Sequence, residues 1–217
     1  MIPTGKIIDI SMEISEEMTV YKNRKENRPK IEVTRDYNNS DAFETTMTIG
    51  MHTGTHLDRP LHIIEGGKTM DSLNLHKVVG LCQVVDLTNV EGGIAKEHLE
   101  GKTIHRNQFV LLKTKNSFEE DFNFSFIYLA ASGASYLKEQ GVSGVGIDAL
   151  GIERDQPEKN THKILLKNDI MILEGLRLRE AEEGKYFLIA APLKIKNAEA
   201  SPVRAMLMEL DNKESCH

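Results

Sequence analysis

Cysteine and concentrated positive charge are both scarce in this sequence. Only two cysteines occur, Cys82 in an apolar run and Cys216 in the terminal tail, so we expect no structural disulfide and a reducing, cytoplasmic location. The net charge is -6, with 27 Lys and Arg residues spread along the chain. Because nucleic acids and anionic membranes require a concentrated basic surface, we expect neither as a partner.

Long apolar runs are also missing. No run approaches the ~18 residues of a membrane span, and segment 1–9 lacks the basic start and apolar stretch of a secretion signal. No internal repeat or low-complexity linker divides the sequence, and 217 residues are enough for one sizeable core. We therefore expect residues 1–217 to form a single domain.

Two common enzyme motifs are absent. No Gly-x-Ser-x-Gly nucleophile elbow is present, so the chain lacks the motif that presents the nucleophilic serine of a serine hydrolase. The glycine-rich segment 141–146 does not match the dinucleotide-binding pattern, and it predicts a turn that leads into a buried strand.

Strand-like runs outnumber helical ones. Runs rich in Val, Ile, Leu and Phe predict half-buried or buried strands at 6–10, 44–51, 80–87, 108–113, 142–147, 169–173 and 186–191. Helices are predicted at 96–99, at 132–140 with serine caps and an end at Gly141, and at 161–166 with Thr161 as its cap. The pattern favours a compact, β-rich mixed α/β fold over a doubly wound parallel sheet. The polar region 16–39 predicts a loop or extended arm, and a frayed end is expected from residue 211.

Segment 52–62 concentrates histidine and aspartate at even positions. The residues are His52, His56, Asp58 and His62. Alternate residues of an extended chain share a face, whereas a helix would turn the aspartate away, and Gly54 and Pro60 disfavour a helix. We therefore predict the end of a strand that runs into a structured loop and presents all four polar groups on one side.

Imidazole and carboxylate together are ligands for Zn, Mn, Fe and similar ions. The two oxygens of Asp58 could each bind one ion of a pair. The alternative is a set of structural histidines beside a structural aspartate. The shared face favours a metal or catalytic role.

The pattern His-x-Gly-Thr-His-x-Asp-x-Pro-x-His resembles the signature of the cyclase-like metal-dependent hydrolases, which include bacterial kynurenine formamidase and isatin hydrolase. Other segments are similar to the family as well, so the resemblance covers nearly the whole chain. Residues 9–11 and 18–21 are similar to the N-terminal segment of the family, and residues 146–148 to the end of its central strand. His162 and residues 172–175 are similar to its second ligand segment. Residues 189–194 and 200–205 are similar to its C-terminal segments. The last two segments are especially like the formamidase branch.

The resemblance implies a ligand set and a reaction. His52, His56 and Asp58 would bind a divalent metal, and Asp58 would share a second ion with His162 and Glu174. Zinc fits these ligands and manganese is an alternative, with one or two ions per chain. His62 would be the proton donor and acceptor. Taken without the resemblance, Glu174 could equally be a surface charge.

The implied reaction is hydrolysis of a small amide, with N-formylkynurenine to kynurenine and formate, an arylformamidase step of tryptophan degradation, as the best match. The implied fold is the swivelling β/β/α type, usually a homodimer with active sites near the interface. A cyclic amide of the isatin type is an alternative substrate. A non-catalytic metal- or ligand-binding protein is a further alternative, against which His62 argues because simple binding needs no proton carrier.

Some positions depart from the family pattern and leave the substrate open. The formamidases usually carry Trp-Pro-Gly-Asp where this sequence has Tyr21-Lys22-Asn23-Arg24. Tyr21 keeps an aromatic ring that could stack on a substrate, but two positive charges appear. Arg59 stands where a small residue is common. Asp148, after a predicted buried strand, could support a metal ligand or bind a loop.

Overall fold

The computed structural model of the protein describes residues 3–210. The expected frayed end and Cys216 therefore lie outside the described residues. The strands are β1 (Pro3–Asp9), β2 (Lys30–Arg35), β3 (Glu44–Thr48), β4 (His56–Asp58), β5 (Val79–Asp86), β6 (Gly93–Ile94), β7 (Phe109–Lys113), β8 (Tyr128–Leu129), β9 (Gly144–Ile147), β10 (Met171–Glu174), β11 (Gly184–Ile189), β12 (Ala200–Pro202) and β13 (Met206–Leu210). The α-helices are α1 (Lys96–Leu99), α2 (Ala131–Gln140) and α3 (Asn160–Lys167).

A mixed sheet organises this part of the chain. Its order is β1-β13-β11-β5-β7-β9-β10-β4-β12. Strands β5, β7, β9 and β10 run parallel in the middle, and antiparallel pairs continue the sheet on both sides. The β-rich mixed α/β fold predicted from the sequence is confirmed.

Both faces of the central strands are covered. Val110 of β7 faces a core that includes Leu137 of α2 and Leu165 of α3, while the next residue, Leu111, faces a second core with Leu57. Strands buried on both faces appear as continuous apolar runs, which is why the sequence predicts β7, β9 and β10 well. Strand β12 has only three residues, and β13 is only partly buried, so neither has the continuous buried pattern of the central strands.

The N-terminal helix caps predicted from the sequence are wrong, although the helices exist. Helix α2 follows Ala130, which makes no side-chain cap, and it ends as predicted at Gly141 in the left-handed conformation. Helix α3 follows Lys159, and Thr161 lies inside it. The Thr161 hydroxyl instead donates a hydrogen bond to the carbonyl oxygen of Leu129 at 2.8 Å, so a tertiary contact replaces the cap.

Strands β2 and β3 form a separate two-stranded hairpin. The prediction of an arm within 16–39 is supported, but β2 was not anticipated there. The prediction of a half-buried strand at 44–51 is wrong in its burial, because every residue of β3 is exposed. Val33 and Met47 on this hairpin are both about half exposed, at 55% and 48%.

Within residues 3–210, no helix is both long and apolar enough to cross a membrane.

Candidate metal centre

Strand β4 carries two of the predicted ligands on one face. Leu57 packs into the second core, so its neighbours His56 and Asp58 point to the opposite side, where α3 lies. Strand β10 pairs with β4 in a register that sets Glu174 opposite His56. Cross-strand neighbours lie close together, and His56 Nε2 is 3.2 Å from Glu174 Oε2. The sheet thus joins two segments that are far apart in sequence.

His52 and His62 also lie beside His56 and Asp58, but neither is part of an extended strand. The region before β4 is a turn, and residues Pro60–His62 form a short 3-10 helix after it. The ring centroids of His52 and His62 are nevertheless only 4.2 Å apart. The structure brings all four residues together, but the predicted shared strand face accounts only for His56 and Asp58.

Helix α3 brings His162 to the cluster. Its Nε2 is 4.0 Å from Asp58 Oδ2 and 3.7 Å from Glu174 Oε1. Glu174 therefore faces His56 with one oxygen and His162 with the other. The backbone N–H of Ile152 donates a 2.6 Å hydrogen bond to Glu174 Oε1, which fixes this orientation.

Glu153 is a buried residue of the site that the sequence did not reveal. Its Oε1 is 2.6 Å from Nδ1 of His162, and its Oε2 accepts a hydrogen bond from the Thr161 N–H at 3.0 Å. The contact leaves Nε2 of His162 facing the carboxylates, the arrangement that orients metal-binding histidines in many proteins. No spacing links Glu153 to the other site residues, so only a search for a carboxylate partner to His162 could have suggested it.

Three buried polar atoms at the centre have no hydrogen-bond partner among the described residues. They are His56 Nε2 and both carboxylate oxygens of Asp58. His52 Nδ1 lies 3.0 Å from Asp58 Oδ1, and His56 Nε2 lies 3.2 Å from Glu174 Oε2, but neither close pair has the alignment of a hydrogen bond. Buried polar atoms are almost always satisfied, so this arrangement fits a bound cation.

The electrostatics of the centre are also those of a cation site. Burial opposes charge on His56, but Glu174 and Asp58 outweigh it and raise the pKa of His56 to about 9. Burial likewise raises the pKa of Asp58, yet the imidazoles of His52 and His56 hold it below its usual range. The buried carboxylates thus attract positive charge strongly.

Two overlapping sets of ligand atoms have the compactness that a metal requires. His52, His56 and Asp58 offer atoms within 4.8 Å of one another, and so do Asp58, His62 and His162. Asp58 belongs to both sets, as a bridging ligand would. The geometry lets His62 act either as a ligand or as a proton carrier.

The centre opens into a cavity of about 830 Å³, whose wall includes Tyr21, His52, His62, His162 and Glu174. The ring of Tyr21 is held by edge contacts with Phe122 and Phe126, at centroid distances of 5.3 and 6.4 Å. An aromatic surface therefore lies in the same cavity as the imidazoles and carboxylates.

Arg59 and Asp148 lie away from this cavity wall. Arg59 is buried, and its Nε donates to the Thr69 carbonyl oxygen at 3.1 Å, so its departure from the family pattern does not reach the cavity. Asp148 accepts hydrogen bonds from Thr114 and Ser117. Of the two roles considered for Asp148, the structure supports loop binding.

The fold and the histidine–carboxylate centre define the protein as a hydrolase of the metal-dependent class. A family model described as "Putative cyclase" matches residues 8–154, and the chain belongs to this cyclase family.

Curated relatives and solved structures agree with the family. A protein named kynurenine formamidase from Erythrobacter litoralis is 39% identical over 166 residues, 76% of each chain. Another of that name from Bacillus mycoides is 31% identical over 207 residues, 94% of this chain and 98% of the relative. A solved structure described as a "Potential Metal-Dependent Hydrolase With Cyclase Activity" is 44% identical, covers 95% of this chain and 98% of its own, and has a TM-score of 0.89. Isatin hydrolase A from Labrenzia aggregata, at 22% identity and TM-score 0.83 with 95% and 94% coverage, shares the fold.

Proposed function

We propose that the protein uses a bound divalent metal to hydrolyse an arylformamide, with N-formylkynurenine, cleaved to kynurenine and formate in tryptophan degradation, as the best single substrate. The observation that carries the proposal is the group of buried, unpartnered atoms of His56 and Asp58 at a cavity that also holds Tyr21. Relatives named kynurenine formamidase, similar along most of the chain, support the choice of substrate.

His52, His56 and Asp58 would hold one ion, and Asp58, His162 and Glu174 a second. Imidazole nitrogen and carboxylate oxygen are the ligands that zinc commonly takes, and manganese accepts them too. When bound, the metal would supply an activated water and polarise the carbonyl oxygen of the amide. The formyl carbon gains the water oxygen, and the bond from that carbon to the amine nitrogen breaks.

His62 would carry the proton from the water to the leaving nitrogen. Its side chain lies in the cavity wall. Burial lowers the pKa of His62, and the nearby His52 lowers it further. Asp58 acts in the opposite direction, but the pKa remains below its usual value. A neutral imidazole at neutral pH can accept a proton and then donate it. Tyr21 would stack on the aryl ring, a contact worth about 0.5–1.5 kcal/mol beyond burial.

A substrate comparison tests this function. Zinc-loaded protein is incubated with formanilide, N-formylkynurenine and isatin, with and without a chelator. We expect both formamides to be hydrolysed and the chelator to stop turnover. Opening of isatin without hydrolysis of either formamide would assign the cyclic-amide activity instead. Bound metal without any turnover would make the protein a binding protein.

We also propose a homodimer formed through the β2–β3 hairpin. The hairpin exposes Val33 and Met47, and its residues Lys30 and Thr48 line a depression that continues to His52, so a second copy covering this arm would border the site. Light scattering after gel filtration should give a dimer for the wild type and a monomer for Val33→Glu with Met47→Glu. Leu193→Glu, which alters an exposed hydrophobic residue outside the hairpin, should stay dimeric. Equal masses for all three proteins would refute the interface.

Cytoplasmic location remains a prediction from cysteine usage.

A further inference from the structure

Three cationic side chains line the cavity in front of the proposed metal centre. They are Lys22, Arg24 and Lys159. Among the described residues, no carboxylate lies within 4.0 Å of any of these three charges. By contrast, Lys163 on α3, four residues beyond Lys159, pairs with Glu158 at 3.4 Å. The cavity wall thus holds three cations that form no ion pair with the described carboxylates of the protein.

The carboxylates of the same wall are turned to other partners. Glu174 faces His56 and His162, and Glu153 is held by His162 and by the backbone of Thr161. Asp155 is the third carboxylate of the wall. Its side chain is 89% exposed, and its Oδ2 lies 3.7 Å from Nε of Arg154. The three cations of the wall are therefore left free to contact a ligand that enters the cavity.

Two of the cations are anchored to elements that carry site residues. Lys22 follows Tyr21, and its Nζ lies 5.4 Å from the centroid of the Tyr21 ring, a distance at which a cation is attracted to the ring face. Lys159 immediately precedes α3, which carries His162. Both lysines adopt the left-handed backbone conformation, with φ of 57° and 49°. Such a conformation is uncommon for residues other than glycine and is concentrated at functional sites.

From these charges we infer that the site selects aryl amides carrying a carboxylate, which Lys22, Arg24 and Lys159 bind at the end of the cavity away from the hydrolysed bond. The inference rests on the proposed amide hydrolysis and adds the residues that recognise the carboxylate of the substrate, a group that N-formylkynurenine carries. Unpaired cations in a cleft raise the local concentration of anions and attract them over neutral molecules of the same shape. Tyr21 would contact the ring between the amide and the carboxylate.

A matched pair of substrates tests the inference. Formanilide and 3-formamidobenzoate have the same reacting bond and differ by one carboxylate. We expect kcat/KM of the wild type to be higher for the carboxylated compound. The ratio of the two values should fall as salt is added, because salt screens interactions between accessible charges.

Charge-removing variants identify the residues. Lys22→Gln, Arg24→Gln and Lys159→Gln should each lower the ratio of kcat/KM for 3-formamidobenzoate to that for formanilide by roughly two- to fivefold, the range expected for one accessible charge. The main change should be in KM of the carboxylated substrate. The control Lys163→Gln removes a lysine of α3 outside the cavity wall and should leave the ratio unchanged. A ratio near one in the wild type, or one that the three variants do not alter, would overturn the inference.

A binding measurement separates this inference from the proposed hydrolysis. Calorimetry compares 3-acetamidobenzoate with acetanilide on the metal-loaded wild type and on the variant that combines all three substitutions. Tighter binding of the carboxylate, lost in the combined variant, supports the charge selection even if no formamide is hydrolysed. Equal binding of the two compounds to the wild type refutes it, even if formanilide is a good substrate.

Discussion

His62 is the residue at which proton transfer and metal binding can be told apart. If it carries the proton, His62→Ala should keep its metal and lose about 10²–10⁴-fold in kcat, the usual contribution of a general acid–base. Metal content by mass spectrometry and the rate with formanilide measure the two effects. His76→Ala, which changes an exposed histidine outside the cavity wall, should alter neither. Loss of metal from His62→Ala would make His62 a ligand instead.

Glu153 and Glu174 should affect the two metal positions differently. Glu153 contacts only His162 among the proposed ligands, so Glu153→Gln should weaken the second ion by about 10–100-fold, as other changes to a histidine's partner do. Glu174 faces both His56 and His162, and Glu174→Gln should weaken both ions. His162→Ala should leave at most one ion per chain. Titration with zinc and a competing chelator measures these affinities, and equal loss of both ions from Glu153→Gln would contradict the assignment.

Whether the sequence predicts that a residue belongs to the site depends on how far that residue lies from the other site residues along the chain. The spacing of His52, His56 and Asp58 within one segment predicts their proximity, although only His56 and Asp58 lie on the strand face that the prediction assumes. His162 and Glu174 came only from the family resemblance, because the β4–β10 register and the position of α3 bring them to the centre. Glu153 was missed, since no local pattern marks a carboxylate that supports a distant histidine.

At the level of elements, Gly175 determines how β10 meets the turn before β4. It adopts φ of 69°, and a side-chain carbon there would overlap the carbonyl of Gly54. That carbonyl oxygen is 2.9 Å from Nδ1 of His56, so it orients a proposed ligand. The absence of a side chain at residue 175 therefore supports the position of the His56 ring.

Gly175→Ala should both destabilise the fold and weaken metal binding. Backbone strain and overpacking of this kind cost about 1–3 kcal/mol each, and the shifted Gly54 carbonyl would turn the ring of His56. Gly92→Ala is the matched control, because Gly92 has φ of 72° but nothing within 4 Å of an added carbon. Urea unfolding and zinc titration should show a larger loss of stability for Gly175→Ala and a loss of zinc affinity confined to it. Equal behaviour of the two variants would refute this role.

The elements themselves were predictable where burial produced a clear pattern. Strands β7 and β9 are apolar throughout because both of their faces are covered. The exposed strand β3 consists mainly of threonine and glutamate, so only its β-branched residues indicate a strand and nothing in it predicts burial. The start of α3 was misassigned because Thr161 bonds to Leu129, a partner that the sequence does not identify.

For the whole molecule, metal binding should be linked to folding. A buried carboxylate and a buried imidazole that lack hydrogen-bond partners cost stability in the metal-free protein, and an ion that binds them in the folded chain alone offsets that cost. At a thousandfold excess of free metal over Kd the gain is about 4 kcal/mol. For a chain of this size each kcal/mol shifts Tm by about 2–4 °C, so calorimetry should show a Tm roughly 8–16 °C higher with metal. The variant His56→Ala combined with Asp58→Ala should lose most of this shift, and an unchanged wild-type Tm would contradict the linkage.

Metal-dependent hydrolysis is tested most directly by titrating metal-free protein with zinc or manganese while recording bound metal and formanilide turnover in the same samples. We expect no turnover in the metal-free protein and a rate that rises in proportion to the metal bound at His52, His56 and Asp58. His56→Ala should bind little metal and remain inactive at concentrations that saturate the wild type. Full turnover by protein from which all metal has been removed would contradict the proposed function.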